Sequence, residues 1–71
     1  MIRANIEAER GRLGYNKEQM SKALGVTVKT YNSYITGAAI PSSKLELLRA
    51  LSGKPIDYLL GLTDNPGTEV R

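Results

Sequence analysis

Carboxylates such as Glu7, Glu9, Glu18 and Glu46 are the side chains here that could do acid–base chemistry. Neither Cys nor His accompanies them. That removes thiolate chemistry, disulfides, a zinc finger and Ser-His or Cys-His catalysis. Acid–base work also needs a cavity, and a chain of 71 residues cut into short segments leaves little room for one. The carboxylates are read as solvating the surface. The expectation is a protein that is not an enzyme, with no metal site and no cofactor.

The basic groups are more informative. Ten Lys and Arg stand against seven Asp and Glu, a formal charge of +3. Residues 1–44 carry Arg3, Arg10, Arg12, Lys17, Lys22, Lys29 and Lys44 against Glu7, Glu9 and Glu18, a net +4. Residues 45–71 carry a net −1, and no carboxylate lies between Gln19 and Leu45. A basic middle of this kind is the footprint of a polyanion binder, although many solvated faces share it. Tyr15, Tyr31, Tyr34 and Tyr58 could stack on single-stranded bases. Their helical spacing favours core or partial burial instead.

Gly and Pro divide the chain into segments of about one helix each. Residues 2–10 place Ile2, Ile6 and Arg10 on one stripe, ended by Gly11 and Gly14. Asn16 followed by Gln19 has the form of a capping box, starting a helix over 17–24 that buries Met20, Ala23 and Leu24 and stops at Gly25. Residues 26–36 fit either a half-buried strand or a helix capped by Thr27. The helix is preferred because no second strand-like run exists to pair with. A fourth helix follows Pro41, with Ser42 or Ser43 as cap and Ser43 with Glu46 as a capping box. It carries Leu45, Leu48 and Leu51, flanked by Leu47, to Gly53. A fifth begins with Pro55 at its first position and runs through Ile56, Tyr58, Leu59 and Leu60 to Gly61. The class is all-α, five short helices. Residues 1–62 form one domain and residues 63–71 a polar, flexible tail. The N-terminus has charges in place of an apolar signal core, and the charge-free stretch 30–43 is too polar to span a bilayer. A cytoplasmic protein away from membranes is expected. With disulfides and metals excluded, a domain this small relies on helix packing and self-association.

The run from Asn16 to Thr27, Asn-Lys-Glu-Gln-Met-Ser-Lys-Ala-Leu-Gly-Val-Thr, resembles the second helix, turn and start of the third helix in the Cro/C1-type (Xre-like) helix-turn-helix repressors of bacteria and their phages. Gly37, Pro41, the Leu-rich fourth helix and Ile56-Asp57-Tyr58-Leu59-Leu60-Gly61 resemble the family's later signature. The likeness covers about residues 2–62. It implies a lambda-repressor-like DNA-binding domain with the helix-turn-helix at helices 2 and 3. Ser21 is the small residue at the close approach of those helices. Val26, Tyr31 and Tyr34 stand where apolar residues lock the pair, so each tyrosine hydroxyl needs solvent or a partner.

The resemblance implies that the third helix lies in the major groove. By position, Thr27, Val28, Lys29, Asn32 and Ser33 meet base edges. Val28 packs on a thymine methyl, Lys29 donates to guanine and Asn32 pairs with adenine. Asn16 and Lys17 at the start of helix 2, with Thr36, Ser43 and Lys44 after helix 3, contact phosphates. The family often pairs an Arg late in helix 1 with a Glu near the end of helix 3. Here Arg10 is present but the matching position is Ile35, leaving Arg10 for a phosphate or for solvent. The dimer face implied is Ile56, Tyr58, Leu59 and Leu62. Lys22 and Lys54 are read as ordinary surface charges.

The function expected is a sequence-specific, double-stranded DNA-binding transcriptional regulator. It would be a repressor acting as a homodimer on a palindromic operator, controlled by affinity, dimerisation or a regulatory protein partner. The alternative is an antitoxin or a protein-interaction module with weak or non-specific DNA binding. Ile35 and the apolar run Ala38, Ala39 and Ile40 motivate it.

Overall fold

The computed structural model describes residues 3–62. Ile2 of the first apolar stripe, and the tail expected over residues 63–71, lie outside them. The described residues form five helices and no strand: α1 (Ala4–Leu13), α2 (Lys17–Leu24), α3 (Val28–Ile35), α4 (Ser42–Ser52) and α5 (Ile56–Leu59). The segment open to a strand reading is therefore helical. Thr27 caps it by accepting the Thr30 amide at 3.1 Å, as the helical reading requires.

The helix-turn-helix forms where the local signals place it. Asn16 Oδ1 accepts the Gln19 amide at 2.7 Å, and Gln19 Oε1 accepts the Asn16 amide at 2.8 Å. This closes the capping box. Gly25 ends α2 at φ 72, a left-handed conformation that a side chain disfavours. Ser21 is 2% exposed, and its hydroxyl donates to the Lys17 carbonyl at 2.6 Å. Thus the small residue between the paired helices keeps its polar atom satisfied within its own helix.

Ile6, Met20, Leu24, Tyr31, Ile35, Leu48 and Leu59 form the core, with Tyr15, Val26, Ile40, Leu51 and Tyr58 packed around it. Each helix contributes, so α2 and α3 are held as a unit against α1 and α4. Asn5 adds a polar tie by donating to the Tyr58 carbonyl at 2.7 Å, joining α1 to α5.

Some boundaries differ from expectation. α1 runs through Gly11 to Leu13, because Gly14 and not Gly11 takes the left-handed cap. Its amide reaches the carbonyls of Arg10 and Gly11. The Ser43–Glu46 capping box does not form. Ser42 is already helical, Pro41 occupies the cap position, and no side chain caps α4. The Pro41 carbonyl instead accepts the Lys44 and Leu45 amides, each at 3.0 Å. Pro55 is the cap residue of α5 rather than its first helical residue.

The carboxylates of α1 are not simple surface charges. Glu9 is 4% exposed and accepts from Arg12 Nε and Nη2 at 2.9 and 2.7 Å. Lys54 Nζ lies 4.0 Å from the same carboxylate, so Lys54 is more than a surface charge. Glu7 is partly buried and binds Arg10, with Arg10 Nη2 at 2.6 Å from Glu7 Oε1. No helix among the described residues is long and apolar enough to cross a membrane.

Candidate nucleic-acid interface

α3 has two unlike sides. Tyr31, Tyr34 and Ile35 turn inward and are buried. Val28, Lys29, Asn32, Ser33 and Thr36 recur at helical spacing on the other side. Lys29, Ser33 and Thr36 are exposed there, and Val28 and Asn32 are half-buried. The fold therefore gathers the expected base-reading residues on one face of one helix. Thr27, at its start, is exposed, but its hydroxyl is engaged with the amide and the hydroxyl of Thr30. The hydroxyls of Ser33 and Thr36 donate back to the carbonyls of Lys29 and Asn32 at 3.2 and 2.9 Å.

Asn32 differs from its neighbours. Its Oδ1 is buried and has no hydrogen-bond partner among the described residues. An unsatisfied buried acceptor costs about 1–3 kcal/mol.

Around α3 stand groups suited to an anionic backbone. Asn16 and Lys17 are exposed at the start of α2, beside amide groups that no helical carbonyl can use. Ser43 is exposed at the start of α4. Lys44 Nζ lies 3.4 Å from where a Cβ on Gly25 would stand, which brings its ammonium against the turn between α2 and α3. α3 has no acidic residue in its first turn.

Arg10 is not available in the way expected. Its Nε and Nη2 grip Glu7, and its Nη1 donates to the Tyr15 carbonyl at 2.9 Å. The hydrogen bond from Arg10, opposed by partial burial, holds the Glu7 carboxyl below the usual carboxylate range. Glu7 in turn pushes Arg10 upward. Tyr31, fully buried on α3, donates its hydroxyl to Glu7 Oε2 at 2.6 Å. Burial, then this bond to a carboxylate, raise the Tyr31 phenol far above its ordinary value. Arg10 thus joins α1 to the segment before α2, and Tyr31 brings α3 to the same carboxylate. The acid that Arg10 lacks on α3 is supplied from α1, one turn away.

Leu59 is likewise unavailable. It is 0% exposed and belongs to the core, so it cannot form part of a dimer face. Ile56 and Tyr58 are half-buried, and Leu62 is 72% exposed. Leu62, Leu60, Arg3, Thr36 and Gly37 border a hollow of about 380 Å³ between the ends of α3 and α5.

The decisive comparison is over residues 6–59, which match the sequence model of the helix-turn-helix family. The chain belongs to that family. Its helix-turn-helix pair is α2 and α3, as the Cro/C1-type resemblance implies. The chain is similar to a Bacillus subtilis (strain 168) protein described as an uncharacterized HTH-type transcriptional regulator, YobD. Identity is 35% over 54 residues, covering 75% of this chain and 48% of that protein. The chain thus spans about half the length of this helix-turn-helix relative. No solved structure matches it significantly.

Two features of the interface had no local signal in the sequence. The Tyr31–Glu7 bond joins residues 24 apart. The Arg3 side chain reaches carbonyls 31 to 35 residues away. Neither follows from periodicity or capping patterns, which act over three or four residues.

Proposed function

We propose that this helix-turn-helix domain binds double-stranded DNA sequence-specifically and regulates transcription, as a repressor, by laying α3 in the major groove. The outer face of α3 carries the proposal. Val28, Lys29, Asn32 and Ser33 lie together on it, on a segment without carboxylates. Lys29 donates to guanine O6 or N7, Asn32 turns its unsatisfied amide to a base, and Val28 packs against a thymine methyl. Ser33 accepts or donates as the base requires, and Thr27 stays at the helix start nearest the bases. Asn16, Lys17, Thr36, Ser43 and Lys44 hold phosphates and set the register. Such a protein acts in the cytoplasm of a prokaryote, where the DNA is.

Two copies bind a palindromic operator, with half-sites about 34–36 Å apart, one helical turn. Leu62, Ile56 and Tyr58 form the self-associating face, without Leu59. Selection of binding sites from random duplex tests this function. One enriched, two-fold symmetric motif is expected. Capture of random duplex with no preferred sequence would overturn it in favour of an antitoxin or protein-interaction module, which the exposed Ala38 and Ala39 would then serve.

A further inference from the structure

The last carbonyls of a helix have no partner within it. In α3 these belong to residues 32–35. Two are satisfied by local groups alone. The Asn32 carbonyl accepts from the Thr36 amide at 3.1 Å and the Thr36 hydroxyl at 2.9 Å. The Ser33 carbonyl accepts from the Ala38 amide at 2.9 Å.

The Tyr34 carbonyl accepts the Gly37 amide at 3.3 Å, and Arg3 serves both it and the Ile35 carbonyl. Arg3 donates its backbone amide to the Ile35 carbonyl at 2.5 Å. Its Nη1 donates to the Tyr34 carbonyl at 2.5 Å and to the Ala38 carbonyl at 2.6 Å. Its Nη2 reaches the Gly37 carbonyl at 3.5 Å. α3 has no basic residue in its own last turn, so Arg3 also supplies the positive charge that a helix C-terminus favours. The Arg3 carbonyl meanwhile accepts the Ile6 amide at 3.1 Å in the first turn of α1. One residue therefore ties the start of α1 to the end of α3. A forked guanidinium suits this task, because it can bridge several carbonyls at once.

We infer that Arg3 is a positioning residue for α3. It fixes the C-terminal end of that helix and the loop from Thr36 to Ala38, and so sets the angle at which the outer face meets its ligand, without touching the ligand itself. This inference rests on the DNA reading of α3.

Arg3→Ala and Arg3→Lys test it by two measurements. The first, amide hydrogen exchange in the absence of DNA, is independent of that reading. Exchange at Thr36, Gly37 and Ala38 is expected to rise at least tenfold in Arg3→Ala, with α2 and α4 unchanged. Lys keeps the charge but loses the fork, so Arg3→Lys should fall between, and it serves as the folded probe should Ala unfold the domain. Unchanged exchange in both variants, or full rescue by Lys, would overturn the clamp. The second is affinity for the selected site and for random duplex across salt concentrations. Site affinity should fall at least tenfold in Arg3→Ala while random-duplex affinity and the salt slope hold. A salt slope shallower by about 0.9 would make Arg3 a phosphate contact instead and overturn the positioning role. A wild type with no preferred site overturns the DNA reading, and hence the effect on ligand geometry, while the exchange data still judge the clamp.

Discussion

Tyr31 is fully buried, and its hydroxyl meets Glu7 and not water. Tyr31→Phe keeps the ring in the core and removes that bond. It should cost about 1 kcal/mol of stability in urea titration, toward the low end for a bond to a charge because Glu7 is part-exposed. The same carboxylate makes stability depend on pH. The Arg10 hydrogen bond holds Glu7 below its ordinary value of 4.5, so the folded state favours the charged form. Its contribution is full above about 4.5 and is lost as pH falls through the lowered folded value. Glu7→Gln should therefore flatten the urea midpoint against pH below that point. An unchanged acid slope would show that other carboxylates set it. At this scale the sequence revealed the presence of Arg10 and the absence of an acid at position 35. It did not reveal the substitute, because a bond across 24 residues depends on how two helices cross.

The elements that were legible are those whose signals lie within four residues. Asn16 with Gln19, Gly25 and Thr27 fix both helices of the pair and the turn between them. The cap of α4 is ambiguous in the sequence because three consecutive residues, Pro41, Ser42 and Ser43, can each occupy it, and Pro41 does. The end of α1 is ambiguous in the sequence because two glycines compete, and only Gly14 has the left-handed φ. That gives a pair of opposite predictions. Gly11 sits inside α1 with nothing within 4 Å of an added Cβ, so Gly11→Ala should stabilise by about 0.4–1 kcal/mol. Gly25 sits at φ 72 beside Lys44 Nζ, so Gly25→Ala should destabilise by about 1–2 kcal/mol. Thermal or urea unfolding of the two variants reads both signs. Equal effects would contradict the assignment of the two glycines.

For the whole molecule, α5 holds the core together through Leu59, and the segment that follows it exposes Leu62. Leu59→Ala removes a fully buried side chain and should cost about 2–5 kcal/mol, a large share of the stability of so small a domain. Leu62→Lys changes a residue that is 72% exposed, so folding should be unaffected. If α5 and the segment after it form the dimer face, this second variant should shift sedimentation toward monomer and weaken binding to a two-half-site operator, with single half-site binding intact. A dimer unchanged by Leu62→Lys would place self-association elsewhere. Most of the core, the element order and the family could be read from 71 residues, although Ala23 is only half-buried. The clamp by Arg3 and the carboxylate shared by Arg10 and Tyr31 could not, because both bring distant segments together.

The central claim, that the outer face of α3 reads bases, is tested most directly by Lys29→Ala. Its affinity for the selected operator should be compared with its affinity for random duplex at one salt concentration. Discrimination is expected to fall by about 1–3 kcal/mol, the worth of a bidentate base contact, with most of the loss on the operator. Equal weakening on both duplexes would show that Lys29 serves the backbone alone and would contradict the base-reading role.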